Sequence, residues 1–405
     1  MAIVERYLKF VFFLILAVFP FGQLLRWQLP FLPEVRLQPL DFLAFLFAGL
    51  WFIKKVCRKE KWVPPAFFKP MAVFGLVAAF SLLLKLPQLP LKEFLPASFY
   101  LLRLWIWFFF YWALVDFSAK QSFPLTKYLI LEGVAMALLA LTQYLLLPDT
   151  RFLLYLGWDD HLFRAIGSFL DPAFTGLLLA LAFFVWVTEL FKSKQSPVFW
   201  LAGGIIFLAL ALTFSRLSYL VLLVGLGIIF WQKKRKLTYL FLGGLLVTLL
   251  WFLPKPQGEG VNLFRLSSLV ARSENYWQVW QVIREHWFFG VGFNTYRYVQ
   301  RDAGFVQPNR WQVPELWQKS NAAAGADNSF LFVWATTGIF GFLAYLWWWG
   351  KIIAKSWKAR KTRGGLLVLA SVMAVIVSSL AVNSLFYPWV LAWLWLLLIS
   401  LKVES

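Results

Sequence analysis

The chain has 405 residues, of which 61% are hydrophobic and 14% charged, with 24 tryptophans and a formal net charge of +20. Such a composition cannot supply the water-facing surface of a soluble globular domain. The positive charges fall mostly between apolar runs, a pattern of membrane topology rather than of nucleic-acid binding, and the single cysteine, Cys57, excludes an internal disulfide or a cysteine-rich metal cage.

The first apolar run, Leu8 to Leu25, has no small-residue cleavage site and is followed by many further runs, so it reads as a retained span rather than a signal peptide. Crossing the hydrocarbon takes about 20 apolar residues as a helix, because lipid offers the backbone no other hydrogen-bond partner. Twelve segments qualify: residues 8–25, 38–56, 67–86, 94–116, 127–147, 172–191, 197–213, 216–231, 237–253, 328–350, 364–381 and 384–401. The expected fold class is all-α, a polytopic membrane bundle of about twelve transmembrane helices. Residues 1–405 form a single integral membrane domain, with one large external loop at 254–327 between the ninth and tenth spans.

Consecutive loops must alternate sides, and basic residues mark the cytoplasmic ones. With the N-terminus inside, so are Lys54 to Lys61, Lys192 to Lys194, Lys233 to Lys236 and Lys351 to Arg363. The alternation holds along the chain. Both termini are then cytoplasmic. The inner loops hold 18 Lys and 5 Arg and the outer loops 4 Lys and 11 Arg, with Arg103 alone inside a span. Topology needs only charge, which lysine supplies; an outer face built of arginine has a second use, because the guanidinium fork matches phosphate or carboxylate with two hydrogen bonds. Snorkelling to headgroups is the plainer reading for any one of them.

In chain order, Arg103 lies about two turns inside the fourth span, where a charge marks a partner or a pathway. Asp41, at the outer end of the second span, is its expected partner; Glu132 is nearer the other face. The loop residues Asp159, Asp160 and His161 are legitimate metal ligands, but adjacent residues point in different directions, and no metal is assigned. In Gly167-Ser-Phe-Leu-Asp171-Pro172, Gly167 lets the chain turn, Asp171 is an N-cap and Pro172 the first helical residue.

Thr213-Phe-Ser215-Arg216 interrupts two apolar runs, and a tight turn there sets Arg216 at the outer end of the eighth span. In the external loop, Tyr276, Val279, Trp280, Ile283 and Trp287 form one apolar stripe of a helix from about Ser273 to Phe289, stopped by Gly290-Val-Gly292. Lying on the outer leaflet, that helix would aim Arg272, four residues before Tyr276, toward the bundle. Asp327 opens the tenth span, as a helix cap or as the acceptor of a substrate proton; spacing leaves both open.

Four stretches resemble the O-antigen ligase and O-antigen polymerase superfamily of bacterial membrane glycosyltransferases. They are Gly167 to Pro172, Thr213 to Arg216, Arg272 through Trp280 to Gly290-Val-Gly-Phe293, and Asp327-Asn-Ser-Phe-Leu331 through Gly338 to Gly341. The resemblance implies transfer of a glycan from an undecaprenyl diphosphate carrier to an acceptor hydroxyl at the outer face of the bacterial cytoplasmic (inner) membrane, with no metal or cofactor. The acceptor is a glycan end, a lipid or a protein. Arg216 and Arg272 would hold the diphosphate. Asp327 stands where ligases typically carry histidine, a departure that adds weight to a polymerase or to another acceptor. The catalytic set is thus Asp327, Arg216 and Arg272, and the substrate-binding set Arg216, Arg272, Arg284, Asn328 and Arg103.

Diphosphate leaves readily once its developing charge is held, so paired arginines suit this chemistry on physical grounds as well. The competing class is a transporter or flippase of lipid-linked or acidic cargo. The sequence shows no evident pair of Gly/Pro-broken spans and no internal repeat, which favours a one-sided enzyme.

Overall fold

The computed structural model describes residues 2–30, 32–119, 121, 123–192, 195–233, 243–244, 261–262, 266–305 and 325–401. The expected ninth span, 237–253, lies outside these residues apart from Gly243 and Gly244, as do Arg265 and Arg310.

Eleven of the twelve expected spans are helices. They are α1 (Ala2–Val18, continued by a 3-10 turn to Leu25), α2 (Pro39–Cys57), α3 (Phe68–Lys85), α4 (Leu91–Ser118), α5 (Leu125–Leu146), α6 (Pro172–Glu189), α7 (Pro197–Ala211) and α8 (Arg216–Lys233). After the loop helices α9 (Ser267–His286) and α10 (Tyr296–Asp302) come α11 (Ser329–Lys358), α12 (Arg363–Ser379) and α13 (Pro388–Leu398). Among the described residues, six helices are long and apolar enough to cross a membrane, and four more are shorter and apolar. One departure from the all-α expectation is a two-stranded antiparallel hairpin, β1 (Trp27–Leu29) and β2 (Leu32–Leu37), in the loop after α1. It occupies a segment too short and too polar for another helix.

Caps explain several boundaries. Asp171 accepts from Ala173 N–H (2.7 Å) and Phe174 N–H (2.9 Å) with Pro172 in the first turn, as expected from sequence. Ser196 and Thr362 cap α7 and α12 in the same way. The centre of the bundle is α6 with α13, apolar all round and buried almost throughout. The helices α5, α7, α8 and α12 pack around α6. The indoles of Trp51, Trp107, Trp348, Trp389, Trp393 and Trp395 fill the core.

The span α11 is not continuous. Gly338 (φ 65°, ψ −169°) breaks it, and the segment after α9 inserts at the break. Val291 N–H donates to the Ala335 carbonyl (2.9 Å), Gly292 N–H to the Thr336 carbonyl (3.0 Å), and Ile339 N–H to the Trp287 carbonyl (2.9 Å). An irregular backbone inside a membrane survives only when its polar groups are met by protein, and here the loop meets them. The break falls within the stretch expected as the tenth span. The helix α9 packs along α11.

The two ends of the bundle differ. At one end, basic residues pair with acids: Lys54 and Arg58 with Glu5 (3.1 and 2.9 Å), Lys55 with Asp116 (3.1 Å). The other end carries the hairpin, the Thr213–Arg216 turn, α9 and the start of α11.

Candidate functional site

The site grows from the junction of two turns. Gly167 (φ 54°) and Leu170 (φ 59°) bend the chain into α6, and Phe214 (φ 46°) bends it into α8. A non-glycine residue in the left-handed region is strained and persists only where its surroundings over-determine it. Here the surroundings include a buried arginine: Arg164 Nε donates to the Thr213 carbonyl (3.0 Å) and its NH2 to the Phe214 carbonyl (3.2 Å). Ala165 N–H adds a bond to Leu212 O (2.9 Å). Ser218 Oγ reaches Pro172 O (3.5 Å), so the first turn of α8, opened by Arg216, abuts the first turn of α6. Arg216 is half-buried there.

The helix α9 supplies the second wall. Val279, Val282 and Ile283 are buried, Tyr276 and Arg272 half-buried, and Trp280 and Trp287 lie at the exposed margin. Arg272 and Tyr276 are thus on the inward face, as the stripe implied. Tyr276 donates its phenol to the Leu380 carbonyl between α12 and α13. Gly290 (φ 73°) ends the helical path where expected, its N–H returning to the His286 carbonyl (2.9 Å).

The third wall is the start of α11. The cap is Asn328, whose Oδ1 accepts from Phe330 N–H (2.9 Å) and Leu331 N–H (3.1 Å) while its Nδ2 donates to Leu380 O (3.2 Å). Asp327 is not the cap. Its backbone N–H donates to Asn275 Oδ1 of α9 (3.0 Å). The geometry of Asn328 is that of a structural residue, with its amide committed to backbone.

Electrostatics ties the walls together. Although part of Asp171's surface reaches solvent, burial pushes its carboxyl above the usual carboxylate range, while the Phe174 and Ala173 N–H groups and the charges of Arg164 and Arg272 pull it back. Tyr276 is raised, first by burial; Arg272 opposes that rise and Asp327 adds to it. Arg164, Asp171, Arg272, Tyr276 and Asp327 therefore share one electrostatic neighbourhood, assembled from the loop before α6, from α9 and from α11.

Two expected residues stand apart. Arg103 forms a two-point ion pair with Asp41, Nε to Oδ1 at 2.8 Å and NH2 to Oδ2 at 2.6 Å, and Trp107 Nε1 donates to the same carboxylate at 3.0 Å. Its fork is filled by a protein partner, the structural alternative raised by the sequence. Arg284 is exposed on α9, away from the inward face. Asp159 and Asp160 are exposed and His161 is buried, and among the described residues no three His, Cys, Asp or Glu side chains gather as a metal site would need.

Arg164 and Asn275 were not singled out by sequence. Arg164 carried one usable signal, an arginine two residues before the apolar Ile166-Gly167 turn; Asn275, in the middle of α9, carried none.

The fold is that of a helical membrane protein that carries this polar junction at one end. Residues 197–346 match the family model described as O-antigen ligase, so the resemblance to the O-antigen ligase and polymerase superfamily holds on that stretch. The match includes Arg216, Arg272, Tyr276, Asp327 and the Gly338 break; Arg164 and Asp171 lie before it. A search of the curated proteins finds no match.

Proposed function

We propose that the protein is a membrane glycosyltransferase of the O-antigen ligase and polymerase type, which moves a glycan from undecaprenyl diphosphate to an acceptor hydroxyl. The observation that carries the reading is the hydrogen bond from Asp327 N–H, at the start of α11, to Asn275 Oδ1 of α9 (3.0 Å), which brings Asp327 to the helix that carries Arg272 and Tyr276, while the first turn of α8, opened by Arg216, abuts the Asp171–Pro172 turn. The site end is taken as the outer one.

In this reading the acceptor oxygen attacks the anomeric carbon on the face opposite the carrier. The new C–O bond forms as the bond to the diphosphate oxygen breaks, and the configuration inverts. Arg216 and Arg272 take up the charge developing on the diphosphate, which makes it a better leaving group. Asp327 receives the acceptor proton. Nearby arginine charge lowers the basicity of a carboxylate, so holding the hydroxyl in line is as much its contribution as removing the proton. Tyr276 and the buried apolar face of α9 keep water off the reacting atoms.

A transporter fits less well. The break in α11 is filled by the protein's own Trp287–Gly292 segment, and the basic residues Lys54, Lys55 and Arg58 at the other end are held in ion pairs. The test is incubation of an undecaprenyl diphosphate-linked oligosaccharide with purified protein, with and without lipid A core, resolved by mass. Longer carrier-linked chains without added core mean polymerase, and glycan on the core means ligase. No transfer to any hydroxyl, with the lipid moving between leaflets, would overturn the reading.

A further inference from the structure

The break in α11 has an open groove beside it. Leu76, Val77 and Phe80 lie along one side of α3, and with Phe289 of the inserted segment and Phe340 of α11 they border a space of about 400 Å³. Two polar side chains also line it, and both are already engaged. Ser81 Oγ donates to the Ala78 carbonyl (3.0 Å) and accepts the Phe293 N–H (3.2 Å), while Thr337 Oγ1 donates to the Val333 carbonyl (2.7 Å). What remains to meet an occupant is apolar. Gly338, between Thr337 and Phe340, has no side chain to fill the space.

The groove opens sideways. Leu76, Phe80, Phe289 and Phe340 are exposed, and the rings of Phe80 and Phe340 stand 6.1 and 6.4 Å from that of Phe289 as a rim. Both α3 and α11 are long and apolar enough to cross a membrane, so this mouth faces hydrocarbon rather than water.

One charge stands at the end of the groove nearer the site. Lys85 is four residues after Ser81, on the same side of α3 and about 6 Å further along it. It is half-buried, and its stem lies against the inserted segment: a Cβ added to Gly292 would come within 3.2 Å of Lys85 Cγ. Its charge is close enough to His286 to weaken the hold of that imidazole on a proton, after burial and against Glu285. An ammonium has three protons to donate, and one goes to Gln88 Oε1 (3.3 Å).

We propose that the groove between α3 and α11 holds one acyl chain of a phospholipid with an anionic headgroup, whose phosphate meets Lys85. Apolar walls open to hydrocarbon call for a chain, and the ammonium at their end calls for a negative head on the same molecule. Position separates this lipid from the proposed carrier. From Arg272 to His286 is about 21 Å along α9, so a head at Lys85 belongs to a different molecule from a diphosphate at Arg272. The chain would seal the seam where Trp287–Gly292 enters α11, and would do so in a transferase or a transporter alike.

The test is photo-crosslinking of the full-length protein in phosphatidylcholine nanodiscs that carry a trace of phosphatidylglycerol, or of phosphatidylcholine, with a diazirine in one acyl chain. Adducts are mapped by peptide mass spectrometry. Those on residues 76–81, 289 and 340 should form about fivefold more with phosphatidylglycerol. Lys85→Gln should remove the preference and Lys85→Arg keep it, while Val77→Trp, which fills the groove, should lower the adducts of both lipids. Equal labelling by the two lipids in the unaltered protein, which needs no variant to fold, would overturn the site. An undiminished preference in folded Lys85→Gln would do the same. Undecaprenyl phosphate added at the mole fraction of the probe should leave the label in place; loss of label at these residues would assign the groove to the carrier and overturn the phospholipid assignment.

Discussion

The N–H of Ile339, just past the break in α11, donates to the carbonyl of Trp287 at the end of α9 (2.9 Å). Two segments far apart in sequence complete each other's backbone, which fixes α9, and with it Arg272 and Tyr276, against the span that begins with Asp327. Gly338→Ala tests this directly. The residue sits at φ 65°, and an added Cβ would overlap the Phe288 carbonyl. The expected loss is about 3 kcal/mol or more, seen as a lowered melting temperature of the purified protein, with activity lost in parallel. A melting temperature unchanged from the parent would mean the break can close without the glycine.

Arg164→Ala removes two hydrogen bonds from a charged donor to the Thr213 and Phe214 carbonyls, and leaves a strained left-handed Phe214 unsupported. Bonds to charged groups are worth about 1.5–3 kcal/mol each, so a loss of roughly 3 kcal/mol is expected on thermal unfolding. Arg164→Lys should recover only part of it, because a single ammonium cannot span both carbonyls as the fork does.

Asp41 and Arg103 form a pair largely out of water, with side-chain exposures of 10% and 19%. Asp41→Ala strands the guanidinium and is expected to cost about 3–5 kcal/mol, whereas replacing both by neutral residues should cost less than the sum of the single changes. Additive losses in a double-mutant cycle would show that the two side chains act independently.

Asp327 and Asn328 separate chemistry from capping. Asn328→Ala should lower stability by about 1 kcal/mol through the lost N-cap, with transfer largely retained by the folded fraction. Asp327→Asn should leave stability unchanged and reduce transfer by about 10²–10⁴-fold if the carboxylate takes the acceptor proton. Full transfer by Asp327→Asn would return that residue to a structural role.

Arg272→Lys keeps the charge and removes the fork. Transfer should fall by about tenfold or more with melting temperature unchanged, and Arg216→Lys should behave alike, since both are proposed to hold one diphosphate. Unaltered product formation in either variant would rule out two-point binding by that residue.

Much of this architecture was legible in the chain. Long apolar runs dictate helices in lipid because nothing else satisfies the backbone, so eleven of the expected segments appear as helices with boundaries shifted by a few residues. The Asp171 cap, the tight turn before Arg216, the Arg103–Asp41 pair and the inward face of Arg272 follow from local rules and appear in the structure. What local rules cannot convey is which distant backbone groups meet. Gly338 reads as an ordinary glycine of a span until Trp287–Gly292 is placed beside it. Asp327 and Asn328 are equally good caps by type, and only the structure gives the cap to Asn328, whose Oδ1 takes the Phe330 and Leu331 N–H groups. Arg164 looks like one more outer arginine, although it supports the turn on which Arg216 depends.

The insertion of Trp287–Gly292 into α11 also bears on how the span takes its shape. In a continuous helix Ile339 N–H would bond the Ala335 carbonyl, four residues back; in the folded protein Ala335 O takes Val291 N–H and Ile339 N–H reaches Trp287 O instead. The bend in α11 is therefore a product of tertiary assembly, in which a loop takes the place of a helix's own next turn.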